Sequence, residues 1–140
     1  MATDTAGLEV LSEEECLGLL SSVHVGRVVY TDRALPAIQP VNFVLDNGAV
    51  VFRPGAGSRL AAATRWNAVV AFEADHFDET TRTGWSVTVV GRWHRVDSPD
   101  EITRLRKLPF RSWFRTADDH FVCIELAQVA GRRLDPAAVQ

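Results

Sequence analysis

Four segments follow one another without a gap and decide the architecture: Pro36-Ala-Ile-Gln-Pro-Val-Asn-Phe-Val-Leu45, Asp46-Asn-Gly48, Ala49-Val-Val-Phe-Arg53 and Pro54-Gly-Ala-Gly-Ser-Arg-Leu-Ala-Ala-Ala63. The first and third are rich in β-branched and aromatic residues and read as strands. Asn47-Gly48 tolerates the positive φ angles of a type I′ turn, so the two strands form a hairpin. Pro40 has no N–H to give to a ladder, which puts it at a sheet edge or beside a bulge. Pro54, Gly55 and Gly57 stop the second strand. Ser58 is a good N-cap, and residues 59–65 read as a short alanine-rich helix.

Upstream, Ser12-Glu-Glu-Glu15 is a capping box with Leu11 and Cys16 at the staple positions, predicting a helix over 13–22. Residues 25–31 read as a strand and 32–35 as a turn. Downstream, 69–73 is an apolar strand, 74–84 is polar and read as a loop, and 85–96 is the longest strand signal. Gly91 within it marks a bulge or a close backbone approach. Ser98-Pro-Asp-Glu101 is a second capping box, opening a helix with Ile102, Leu105 and Leu108 on its apolar face and Pro109 beyond its end. Residues 121–126 form the last clear strand. The count is about six strands and three short helices. Hairpins dominate, which favours an antiparallel barrel or sandwich over parallel βαβ units.

At 140 residues the chain is the size of one domain, read here as 8–134 with tails at 1–7 and 135–140. Hydrophobic residues make up 46% and charged residues 24%, values of a globular chain. A net charge of -3 argues against a general nucleic-acid binder. No apolar run reaches the roughly 20 residues needed to span a bilayer, and the N-terminus lacks a signal peptide, so no membrane association and a cytoplasmic location are expected. Cys16 and Cys123 share no metal or redox spacing and read as reduced core thiols.

The Pro54–Ser58 connection is the place where an anion could sit. A helix start offers backbone N–H groups, the glycines allow close approach, and Arg53 and Arg59 offer guanidinium groups. The same connection also serves as a plain strand-to-helix link, and it lacks the Gly-Lys-Ser/Thr ending of a Walker loop. His24, His76, His94 and His120 show no metal-ligand spacing, so no metal is expected; His76 sits among Glu73, Asp75, Asp78 and Glu79 and reads as part of a solvated acidic loop. Trp66 and Trp93 read as area-burying core or dimer contacts. Arg111, Trp113, Phe114 and Arg115 form a basic-aromatic cluster that fits either a substrate clamp or an interface. No nucleophile triad is present, and no catalytic side chain can be named.

From Leu11 to Arg133 the order of segments resembles the pyridoxamine 5′-phosphate oxidase-like flavoproteins, the FMN-binding split barrels. The resemblance is carried by Val25-Gly-Arg-Val, Pro36-Ala-Ile-Gln-Pro-Val-Asn-Phe, Val51-Phe-Arg-Pro-Gly-Ala-Gly-Ser-Arg-Leu-Ala, Gly84-Trp-Ser-Val-Thr-Val-Val-Gly-Arg, Ile124-Glu-Leu and Gly131-Arg-Arg. It implies a mainly β, six-stranded antiparallel split barrel of Greek-key type with about three short peripheral helices. It further implies an oxidoreductase working as a homodimer, with FMN at the interface and a small-molecule substrate. Gln39, Pro40, Val41 and Asn42 would lie along the flavin ring, Phe52 and Arg53 at the ring edge and phosphate, Ser58 and Arg59 at the phosphate. Trp85 and Ser86 would contribute from the next contact strand. Leu60 stands where many relatives carry lysine, Arg53 where threonine is frequent, and Pro54 removes an amide donor. Relatives also include deazaflavin-dependent reductases and haem-binding proteins, which keeps a deazaflavin coenzyme, haem, or an empty pocket as alternatives to FMN.

Overall fold

The Asn47-Gly48 turn forms as the sequence predicts, with φ of 46° and 76° in a computed structural model that describes residues 2–55, 57–110 and 120–136. It joins β3 (Leu35–Asp46) to β4 (Ala49–Phe52), paired from Asp46↔Ala49 to Phe43↔Phe52. The other described elements are β1 (Glu9–Val10), α1 (Glu13–Leu20), β2 (Val25–Asp32), α2 (Arg59–Ala63), β5 (Ala68–Asp78), β6 (Thr83–Arg95), α3 (Pro99–Leu105), β7 (Val122–Glu125) and β8 (Gln128–Leu134).

All pairings are antiparallel. The order β6-β5-β2-β3-β4-β7 closes through β6–β7 into a six-stranded barrel, and β8 and β1 lie outside it. The closure has a definite cause. β7 and β8 run along the same edge of β6, but five residues from Ile124 to Gln128 oppose four from Trp93 to Val90. One extra residue is therefore accommodated as a β-bulge. Before the bulge the chain pairs with β4; after it, with β1. Gly91 faces this point, and a Cβ on it would lie 1.9 Å from the Glu125 carbonyl oxygen. The close-approach reading of Gly91 holds for that reason.

Alternation along the strands fills the barrel. Val28 and Tyr30, Val41 and Phe43, Val70 and Phe72, and Val87 and Val89 all point inward and are buried. Trp93 and Ile124 close one end. α1 caps another part of this core through Cys16 and Leu20. Its capping box is complete: Ser12 Oγ accepts from the Glu15 amide at 3.2 Å, and Glu15 Oε1 accepts from the Ser12 amide at 3.1 Å. A second core lies outside the wall, where Leu105 of α3 meets Val51 and Phe121. The second capping box is only half formed. Ser98 accepts from the Glu101 amide, but the Glu101 carboxylate pairs with Arg104, which also grips Asp46 through two bonds of 3.0 and 2.8 Å.

Three readings of the sequence need correction. Residues 74–84 are mostly strand, not loop: β5 and β6 pair as far as Asp78↔Thr83, and the Asp78 carboxylate accepts from the Thr80 and Thr81 amides in the turn. The hairpin arm carries polar groups on both faces because it projects into solvent, which hides its period of two. The polar stretch after Leu126 contains β8, masked in the sequence by the bulge. Residues 2–7 are not loose, since Asp4 accepts from Ala6 and Leu8 amides and pairs with Arg132 at 3.1 Å. Those contacts hold the Asp4 carboxyl below its ordinary pKa, the Leu8 amide first among them. Both cysteines are free thiols, Cys16 buried and Cys123 half-buried; burial pushes the Cys123 thiol up to about 11. No described helix is long and apolar enough to cross a membrane.

Candidate functional site

The anion-binding candidate and the exposed edge of β3 are neighbours of the same strand, β2. Residues 35–42 of β3 pair with β2, whereas β4 pairs only with 43–46. The first part of β3 therefore keeps one edge without a described strand partner, and Pro40 falls in it, as its missing N–H requires. At the far end of β2, Asp32 lies 4.0 Å from the Arg59 guanidinium, which opens α2. Ser58 caps α2 by accepting from the Ala61 amide at 3.0 Å. The helix is pinned to the barrel end by Arg95, which donates to the Ala61 carbonyl and to Thr64 Oγ1.

The side chains named from the sequence divide into two sets. Gln39 is half-buried and Pro40 exposed on the free edge, Ser58 is half-buried, and Arg59 is 86% exposed. These are open to a ligand. Val41 and Phe52 point into the barrel core, so they can offer only backbone outward. Trp85 is 9% exposed within the same core, and Ser86 beside it is half-buried on β6. β5 and β2 separate β6 from β3, so three strand spacings, roughly 14 Å, lie between Ser86 and Asn42 within one chain.

Asn42 and Arg53 occupy the opposite wall of the strand pair, one step past Phe43↔Phe52. Asn42 is buried, and the Arg53 guanidinium lies over the Phe121 ring, 5.1 Å from its centroid. Arg53 is thus engaged with the outer core that α3 covers. Leu60 is fully buried and completes the barrel core. Arg111, Trp113, Phe114 and Arg115 fall outside the described residues. Among the described residues, no group of three His, Cys, Asp or Glu side chains is placed to hold a metal ion.

One feature escaped the sequence reading. The outer face of the sheet carries a registered row, Ile38–Val29–Ala71–Val90, across β3, β2, β5 and β6. Ile38 is 68% exposed, and Val69 on the same face is 60% exposed. Apolar rows of this kind on a sheet face mark contact surfaces. Beside the row, Arg27 Nη1 lies 3.0 Å from Glu73 and 3.5 Å from Asp75. The alternation of charged 73 and 75 with apolar 72 and 74 was the available signal.

Burial, then the adjacent Asp75 carboxylate, push the Glu73 carboxyl up to about 7, with Arg27 opposing. An unfolded Glu titrates near 4.5, so between that pH and about 7 the native state holds a proton that the unfolded chain releases. This contribution to stability is complete below the unfolded value and is lost as pH rises through the folded one. The thermal midpoint should therefore fall between about pH 5 and pH 7.5, and Glu73→Gln should flatten that fall. An identical pH slope in the variant would place the proton elsewhere.

A closed six-stranded antiparallel barrel with two strands outside it and short helices around it defines a split-barrel protein. The protein-family model described as pyridoxamine 5′-phosphate oxidase matches residues 12–133, and the chain belongs to that family. It is 41% identical over 128 residues to the uncharacterized protein Rv0080 of Mycobacterium tuberculosis, covering 89% of this chain and 84% of that one. Among solved structures, an FAD binding protein from Mycobacterium smegmatis is 36% identical, with a TM-score of 0.75 and coverage of 89% and 97%. A conserved protein of unknown function from Corynebacterium diphtheriae is 34% identical, with a TM-score of 0.74 and coverage of 89% and 96%.

Proposed function

We propose that this chain is a flavin-dependent oxidoreductase that works in the cytoplasm as a homodimer on a small-molecule substrate. It would hold the FMN part of its cofactor, FMN itself or the matching half of FAD, where two copies meet. The observation that carries this reading is the stretch of β3 before Asn42, with one edge lacking a described strand partner, beside the same strand β2 that Arg59 approaches at Asp32, in a chain matching the family over 12–133. The likeness to an FAD binding protein at 36% identity supports it further.

The bound flavin supplies hydride transfer; the protein supplies seat and orientation. Residues 39–41 fit a ring held by backbone, because the edge of β3 there, which has no described strand partner, offers peptide groups rather than large side chains. Ser58 and Arg59 fit the phosphate, one through its hydroxyl and the other through charge-assisted hydrogen bonds. Ser86 is too far from β3 to serve the same ring in one chain, so its contribution comes from the second copy. The apolar row through Ile38 and Val29 supports such a pairing, since a second sheet face would remove it from water.

The test is a visible spectrum and an FMN titration of the purified protein, with mass by sedimentation. Micromolar binding to a dimer is expected; no binding of FMN or FAD overturns the reading. Arg59→Ala should weaken FMN binding by about 1.5–3 kcal/mol, the range for hydrogen bonds to charged groups. Unchanged affinity would move the phosphate site away from Arg59.

A further inference from the structure

Trp66 is 75% exposed, although its backbone is held firmly: its carbonyl accepts from the Trp93 indole N–H at 2.8 Å. The exposed ring forms one wall of a cleft of about 370 Å³, within the range of small-molecule sites. Ala62, Ala63 and Ala68 line the cleft with methyl groups, small side chains that leave room beside the indole. Asp32 and Arg59 stand at its mouth.

These groups answer three parts of one kind of molecule. A planar base stacks on the indole face. A carboxylate accepts from ribose hydroxyls or an exocyclic amine. An exposed guanidinium, 4.0 Å from Asp32, takes phosphate oxygens. Arg59 belongs both to this mouth and to the proposed flavin-phosphate site, so one side chain can reach both phosphates of a diphosphate. We infer that the cleft seats the adenosine half of FAD, making FAD rather than FMN the cofactor this chain prefers. The inference rests on the flavin reading above.

The experiment is a titration of the cofactor-free protein with FMN and with FAD, for the wild type and for Trp66→Ala. FAD is expected to bind about tenfold or more tighter than FMN, the factor that stacking one base on an aromatic ring supplies. Trp66→Ala should remove most of that preference and leave FMN affinity unchanged; Trp66→Phe should retain it. Because Trp66 is exposed, neither change disturbs the core. Equal binding of the two flavins overturns the adenosine seat while leaving the flavin reading in place. So does an FAD preference that survives Trp66→Ala. A loss of the dimer in Trp66→Ala without a change in flavin preference would assign the cleft to the second copy and overturn the seat. Binding of neither flavin removes the flavin reading itself and this inference with it.

Discussion

Gly91→Ala is expected to weaken the closure of the barrel by about 3 kcal/mol or more. The added methyl would sit 1.9 Å from the Glu125 carbonyl oxygen and 2.9 Å from its carbon, both backbone atoms at the bulge. A flexible side chain could turn away; this peptide cannot, because β7 is held on β4 and β6 at once. Overpacking a core costs about 1–3 kcal/mol, and a backbone collision belongs at or above the top of that range. Against a total stability of about 5–15 kcal/mol, a loss of about 3 kcal/mol or more takes from a fifth to most of the margin. The control is Gly18→Ala in α1, where an added Cβ meets nothing within 4 Å. It should gain up to about 1 kcal/mol from helix propensity. Denaturant midpoints for the pair decide the matter. If Gly91→Ala unfolds at the wild-type midpoint, the strand switch does not depend on the close approach.

Removal of the Trp93 ring should cost nearly as much. The side chain is 1% exposed and packs 5.7 Å, centroid to centroid, from Tyr30. Trp93→Ala should destabilise by about 3–5 kcal/mol, the transfer loss plus the cavity left behind. Trp93→Phe separates the two roles of the indole. It keeps most of the apolar volume and removes the N–H that holds the Trp66 carbonyl, a bond worth about 1 kcal/mol net. A midpoint for Trp93→Phe as low as that for Trp93→Ala would show that the hydrogen bond, rather than the volume, holds this end of the barrel.

Features with local causes were legible from the residues. Ser12 with Glu15, Asn47 with Gly48, and Pro40 each carry their geometry within a few positions, and each sits as read. The half-formed box at Ser98 shows the limit: Glu101 had the right spacing, but Arg104, one turn on in the same helix, takes its carboxylate while also gripping Asp46. The arm at 74–84 was missed because polar groups occupy both faces of a strand that leaves the core. The bulge between Ile124 and Gln128 cut β8 off from the run that would have announced it. For the site, residue type picked out Ser58 and Arg59, which the fold leaves half-buried and exposed. It could not say that Val41, Phe52 and Trp85 turn inward, since facing depends on register across strands. Nor could it show Trp66 in solvent, because exposure belongs to the assembled surface.

The closing position of β7 also orders the making of the molecule. The pairs β2–β3, β3–β4 and β5–β6 each join neighbours in sequence and can form as the chain is synthesised. β7 follows β6 only after α3, and it must slot between β4, completed at Phe52, and the end of β6 at Arg95. Until Val122 to Glu125 arrive, an incomplete chain carries the unpaired edges of β4 and β6, which invite pairing with other chains. The last barrel strand is therefore the lock of the fold, and the interval before its synthesis is when this protein most needs protection from its own copies.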